Sequence, residues 1–307
     1  MTDWNSKKIL LVGETVLDII QIVSEYPKED DDIRSNHGWW QRGGNASNNA
    51  TVLSLLGEKC EILSNFSSSE MFKFVVADLT NRGIDHKNCL YFDDCEVPLS
   101  TIWISEANGS RTIVHSNPNL PHVNFETFDK CDLDEYKWIH FEVGWGRTPL
   151  EFRKMMEKTR KFNSRIKISV ELEKLRGDDL KLVENADFVF LGKTFAKFIG
   201  CEKKEEAVYK LKELAGDKNN FTVICPWETE GVAVLDQENN FYSCEAFKAE
   251  KVRDTLGAGD TFCAATIFAL NQGRNVQKAI EFGSTIAGLK VGFYGYDGIK
   301  DACKKFL

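Results

Sequence analysis

Short apolar runs alternate with longer, half-apolar stretches along most of this chain. "KILLVG" (8–13), "CEILSNF" (60–66), "KWIHFEV" (137–143), "RIKISVELE" (165–173), "ADFVFLG" (186–192) and "FTVICPW" (221–227) read as buried strands. Between them fall helical patterns at 46–57 and 70–83, each closed by a glycine, and around 150–163, 176–185 and 193–216. Strands and helices in strict alternation predict an α/β fold with a mostly parallel sheet and helices on both faces. No internal repeat, low-complexity tract or proline-rich linker interrupts the pattern, so residues 1–307 are expected to form one domain.

Two stretches depart from the alternation. "STIWISEANGSRTIVHS" (100–116) places Asn108-Gly109 between alternating apolar and polar residues, a strong hairpin signal. "DDIRSNHGWWQRGG" (31–44) also reads as extended. Together they predict a small antiparallel sheet projecting from the core, with segments at about 14–42 and 95–118. Ile33, Trp39, Trp40, Ile102, Trp103 and Ile104 would lie on it with little of their own core to cover them. A second copy of the lid is the expected cover, hence a homodimer. Another hairpin, "GVAVLDQENNFYSCEAF" (231–247), precedes the last long helix.

Composition narrows the classes. A hydrophobic fraction of 42% and a charged fraction of 28% belong to an ordinary globular chain, and a net charge of −8 disfavours nucleic acid and anionic membrane surfaces. The apolar stretch after "MTDWNSKK" is too short for a signal peptide or a span. Nine cysteines without a C-x-x-C pair suit reduced thiols in the cytoplasm. Five scattered histidines with no H-x-x-x-H predict no transition-metal site.

Ligands of open parallel sheets bind at the carboxyl ends of the strands, so chemistry is sought in the loops there. "DTLGAGDTF" (254–262) brings Gly257 and Gly259 to the start of a helix, where unpartnered N–H groups and the macrodipole favour an anion. This is no P-loop, because Asp260 stands where a lysine would, and "LGKT" (191–194) has Asp187 at the position of the required first glycine. The motif reads either as a phosphate cradle followed by a catalytic acid, or as a turn followed by an N-capping Asp260. "QRGGNASNNATVLSLLG" (41–57) presents Gly44, Asn45, Ser47 and Asn48 at another helix start. Amides and N–H groups gathered there suit sugar hydroxyls, or Asn45 is a simple cap. Asp18, within the apolar run "GETVLDIIQ", needs polar partners or a place at the surface.

"DTLGAGDTF" and "GGNASN" resemble the C-terminal and N-terminal signatures of the PfkB, or ribokinase-like, sugar and nucleoside kinases. "YPKED", "WQRGGNASN", "TVLSLLG", "NGSRTIV", "KWIHFE" and "YDGI" are similar, in the same order, to the ketose-phosphorylating members, from about residue 10 to residue 299. The resemblance implies a ribokinase-like three-layer sandwich with a β lid, and ATP-dependent phosphorylation of fructose at its 1-hydroxyl with Mg2+ and a potassium ion. It implies that Asp260, an ionised and weakly basic carboxylate at neutral pH, takes the proton of the attacking hydroxyl. The N–H groups of Gly257, Ala258 and Gly259 would form the anion hole. Asp18, Gly44, Asn45 and Asn48 would hold the sugar, and Asp30 would reach the partner subunit's sugar site. Arg111 and the run Glu228, Thr229, Glu230 and Gly231 would lie along the nucleotide.

Some positions depart from the family. The N-x-x-E motif near magnesium is replaced by "GKTFAKF", so no metal ligand is assigned. "VELEKLR" (170–176) replaces a D-x-N-x-R pattern, and "EVGWGRTPL" (142–150) is divergent, leaving Arg147 without a role. The rival readings are a kinase for another sugar or for a nucleoside, with Trp39 and Trp40 available for stacking, and a catalytically silent sugar- or nucleotide-binding relative.

Overall fold

Residues 3–144, 149–173, 179–216 and 220–306 are described by the computed structural model. In chain order the strands are β1 (Lys8–Val12), β2 (Val16–Val23), β3 (His37–Gly43), β4 (Cys60–Leu63), β5 (Asn65–Ser67), β6 (Leu90–Phe92) and β7 (Leu99–Ser105). They continue as β8 (Arg111–Ser116), β9 (Tyr136–Val143), β10 (Lys167–Leu172), β11 (Phe188–Leu191), β12 (Thr222–Pro226), β13 (Val232–Leu235) and β14 (Phe241–Cys244). The α-helices are α1 (Asn45–Leu55), α2 (Phe72–Asn81), α3 (Phe125–Asp129), α4 (Pro149–Phe162), α5 (Lys193–Phe198), α6 (Lys204–Ala215), α7 (Ala258–Asn271), α8 (Val276–Lys290) and α9 (Ile299–Ala302).

The main sheet has the order β14-β13-β12-β11-β10-β9-β1-β4, parallel except at β13 and β14. Its strands are apolar on both faces because successive side chains enter two different cores. In β1, Ile9 and Leu11 join one cluster with α1, α7 and α8, while Leu10 and Val12 join another with α4 and α6. The chain thus forms three layers, helix–sheet–helix, and β9 is buried along its whole length.

The lid is a separate sheet of order β3-β2-β7-β8. Its inner face is apolar: Ile20, Ile102 and Ile104 pack with Leu256, the residue before the GAG turn, and Trp39 leans on the same cluster. This corrects the expectation that Trp39, Ile102 and Ile104 wait for a partner, since the chain's own turn covers them. The exposure that remains belongs to Ile33 (41%), Trp40 (44%), Ile113 (46%) and Val114 (59%).

Other expectations need smaller corrections. The 60–66 run breaks at Ser64, so β4 stays in the main sheet and β5 leaves it to pair with β6. The 193–216 stretch is two helices, because Gly200 takes φ +87 between α5 and α6. The extended run 31–44 is strand only over His37–Gly43. The 176–185 stretch is a 3-10 helix over Asp179–Asn185. Arg147 and the end of "VELEKLR" lie outside the described residues. No helix among the described residues is long and apolar enough to cross a membrane, and none of the nine cysteines is in a disulfide.

Candidate active site

The GAG turn is shaped by one tight contact. Gly257 caps α7 in the left-handed region, φ +71, and a Cβ there would meet the Tyr296 hydroxyl at 1.8 Å. Only glycine satisfies both the dihedral and the packing. Among the described residues, the N–H groups of Gly257, Gly259 and Asp260 make no hydrogen bond, whereas that of Ala258 is given to the Thr255 carbonyl at 3.3 Å. Of the three consecutive amides expected, that of Ala258 is thus engaged within the turn, while the Asp260 N–H is unpartnered as well.

Asp260 is the third residue of α7 and does not cap it. Its side chain is buried and accepts a 2.7 Å hydrogen bond from Asn48 Nδ2. Asn48 belongs to α1, which lies against α7 through small residues such as Ala46, Ala50, Ala264 and Ala265. Gly44 takes φ +91 and is the N-cap of α1, and any Cβ there would sit 2.4 Å from the Glu14 carbonyl oxygen. Asn45 is thus not the cap. Its Nδ2 donates to Glu173 Oε2 at 3.0 Å, directing it toward the strand ends.

Asp18, in β2, is buried and pressed against Gly43, where a Cβ would come within 2.0 Å of its carboxylate. Burial pushes its carboxyl up to about 7, and the Asp260 charge adds to that shift while Ser100 and Arg42 oppose it. Asp260 itself is held well above the ordinary carboxylate range by burial and then by Glu171, Glu173 and Glu142, with the Asn48 bond opposing. The expectation of an ordinary, weakly basic aspartate is therefore revised. Before ligands arrive, low dielectric and neighbouring negative charge make it a stronger base.

Those three glutamates went unrecognised in the sequence. Glu142 and Glu171 are the penultimate residues of β9 and β10, and Glu173 follows β10, so parallel pairing brings the three close enough to act on Asp260 at the start of α7. No group of three or more His, Cys, Asp or Glu among the described residues has the geometry to hold a metal ion on its own. The carboxylates of Glu142, Glu171 and Glu173 are hard oxygen donors, of a kind that suits a hard divalent cation.

The residues expected along the nucleotide lie apart from this cluster. Glu228–Glu230 form a 3-10 turn after β12, with Glu228 at φ +52 and Gly231 at φ +88. β12 is two strand spacings, or about 10 Å, from β10. Lys193 Nζ donates to Glu228 Oε2 at 2.6 Å and lies 5.4 Å from the Trp227 ring centroid. Arg111 opens β8 at the lid's free edge, close enough for its charge to be felt at Lys290. Asp30 sits on an exposed turn at φ +65 and makes no hydrogen bond to the Asp18–Asp260 cluster. Trp39 and Trp40 point to opposite faces of β3, edge-on to Tyr294 and Phe74, and cannot sandwich one base.

Comparison with known proteins agrees with this architecture. Residues 6–299 match the family described as pfkB family carbohydrate kinase. The chain is 40% identical over 299 residues to the ketohexokinase of Mus musculus, covering 95% of this chain and 99% of the relative. The adenosine kinase of Sinorhizobium meliloti superposes with TM-score 0.83 at 19% identity, over 98% of this chain and 100% of the other. The ribokinase of Giardia lamblia does so with TM-score 0.80 at 18% identity, over 98% and 100%. At such identities these structures establish the fold: ribokinase-like α/β, with a large, mostly parallel sheet and a small separate one.

Proposed function

The chain belongs to the pfkB family of carbohydrate kinases and is of the ketohexokinase type, and on that premise we propose that it phosphorylates fructose at the 1-hydroxyl. Sugar and ATP are the substrates of a kinase of this family, and magnesium accompanies the nucleotide. The observation that carries the finer reading is the buried Asn48–Asp260 pair at the start of α7, with Asp18 close enough that the Asp260 charge helps raise the Asp18 carboxyl.

In this reading the sugar lies between the lid and α1, with Asp18, Gly44, Asn45 and Asn48 on its hydroxyls. Its primary hydroxyl faces Asp260. The oxygen attacks the γ-phosphorus as its proton passes to Asp260, and ADP leaves with the β–γ bridging oxygen. Charge on the transferring oxygens meets the N–H groups of Gly257, Gly259 and Asp260, preorganised by the turn. Glu142, Glu171 and Glu173 would hold the magnesium ion that accompanies ATP, which would supply positive charge to offset that of the transferring phosphate. Arg111 from the lid and Glu228, Thr229, Glu230 and Gly231 from the β12 side flank the nucleotide, and Ala258 serves the turn's shape. Potassium enters on the family resemblance alone and no residue is assigned to it. A single domain working in the cytoplasm completes the proposal.

A coupled ADP-release assay over hexoses, pentoses and nucleosides is expected to show fructose as the preferred acceptor. Phosphorus and carbon NMR of the product should give fructose 1-phosphate. A 6-phosphate, or a nucleoside turned over in preference to fructose, refutes the specificity and leaves the family membership intact.

We also propose a homodimer through the lid. β8 is a free edge exposed along its whole length, yet it carries Ile113 and Val114, an arrangement monomers tend to avoid. Asp30 would then reach the partner's sugar site. Sedimentation at micromolar concentration should give twice the chain mass, and a fully active monomer would defeat this.

A further inference from the structure

At the tip of the lid hairpin Glu106, Ala107 and Asn108 are exposed, but Gly109 is buried. Gly109 is covered by the loop that leads into the GAG turn, and an added Cβ would stand 2.9 Å from the Arg253 carbonyl carbon. The Gly109 carbonyl accepts two hydrogen bonds from Thr255, one from its N–H at 3.2 Å and one from its hydroxyl at 2.9 Å. Thr255 is two residues before Gly257. On its other side the loop is anchored: Asp254 accepts from Lys290 Nζ at 2.8 Å, from the Leu256 N–H at 2.8 Å and from the Gly295 N–H at 3.1 Å. Leu256 meets Ile20, Ile102 and Ile104 of the lid.

The lid therefore cannot lift at its tip without releasing the segment that sets the turn. Asp18 lies on β2, which pairs with β7, so a group gripped by Asp18 acts on the strand that carries this tip. The N–H groups for the anion lie just past Thr255. We propose that Thr255 is a positioning residue whose bond to Gly109 couples the lid to the anion-binding turn, so that sugar and nucleotide each favour the other's binding. This rests on the reading of the site as a sugar kinase and adds a route of communication to it. The backbone N–H donor is present in both test variants, whereas the hydroxyl bond is lost in Thr255→Val, which keeps the side-chain shape, and is kept in Thr255→Ser.

The test is the heterotropic coupling factor, the ratio of fructose Kd without and with a non-hydrolysable ATP analogue and magnesium, measured by calorimetry on the full chain. The native protein is expected to show a factor of at least about 5. Thr255→Val should lower it by about 2- to 10-fold, the worth of one hydroxyl hydrogen bond, and Thr255→Ser should restore it. Amide exchange gives a second measurement that needs no variant: exchange at Thr255 should slow when fructose alone is bound. A native coupling factor in Thr255→Val, no coupling in the native chain, or a Thr255 amide indifferent to fructose would each overturn the latch. The first of these, with fructose still phosphorylated, leaves the kinase reading standing. Failure of the native chain to bind fructose removes both.

Discussion

Replacing Asp260 by Asn is expected to lower turnover by about 10²- to 10⁴-fold while leaving nucleotide affinity nearly unchanged. The amide keeps the size and can still meet Asn48, whose Nδ2 donates to this side chain at 2.7 Å, but it cannot accept a proton. The helix start and its N–H groups are untouched, so the contacts proposed for the nucleotide should survive. Steady-state kinetics with a binding titration measures both halves. Near-native turnover in a folded variant would remove Asp260 from the chemistry.

The same side chain should dictate the acid limb of the pH profile. Its carboxyl is raised by burial and by the neighbouring glutamates, and Asp18 is raised to about 7. A base must be ionised to act, so kcat/KM is expected to rise with pH over a range lying above the ordinary carboxylate pKa. Stability runs the other way. A carboxyl whose folded pKa is raised stabilises the fold fully below its unfolded pKa, near 3.9, and that contribution is lost as pH rises through the raised value. Native protein without ligands should thus lose stability between about pH 4 and neutrality, and Asp260→Asn should flatten that slope. Activity and stability moving in opposite directions with pH is the signature of a carboxylate confined for use.

Much of this was legible in the chain because the main strands are buried on both faces. β9 and β10 are dominated by buried apolar residues, and Gly44 and Gly257 of the two signatures mark left-handed, closely packed turns that favour glycine. What escaped was the product of three-dimensional convergence. Glu142, Glu171 and Glu173 look like the polar ends of unrelated strands until parallel pairing places β9 beside β10. Arg42 read as one more charge on an extended segment, yet it is buried, bonded to Asp78, Ser47 and Thr51, and helps hold α1 to the lid. Ile102 and Ile104 seemed to need a second molecule because their cover, Leu256, comes more than a hundred residues later. The commitment of the Ala258 N–H to Thr255 could not be read from the motif, since the same letters fit a turn that leaves all three amides free.

Lys290 offers the largest expected effect on stability. Both it and Asp254 are almost fully excluded from solvent, and Lys290 Nζ donates to the Asp254 carbonyl at 3.0 Å and to its carboxylate at 2.8 Å. Burial lowers the lysine's proton affinity and Asp254 opposes that shift. Lys290→Met keeps the aliphatic stem but leaves the Asp254 carboxylate with only the Leu256 and Gly295 N–H groups. Removing one partner of such a pair typically costs about 3–5 kcal/mol, chiefly because the surviving charge is stranded, which for a chain of this size lowers Tm by roughly 10 °C. Asp254→Asn in the same background removes the stranded charge while retaining an acceptor, so the double variant should recover part of the loss. Calorimetry of the native protein, both single variants and the double closes the cycle. Additive losses would mean that the pair is not coupled, and a Lys290→Met protein as stable as the native one would show that Asp254 is satisfied without it. A coupled loss accompanied by weaker nucleotide binding would place the pair where its bonds lead, beneath the turn from Thr255 to Gly257.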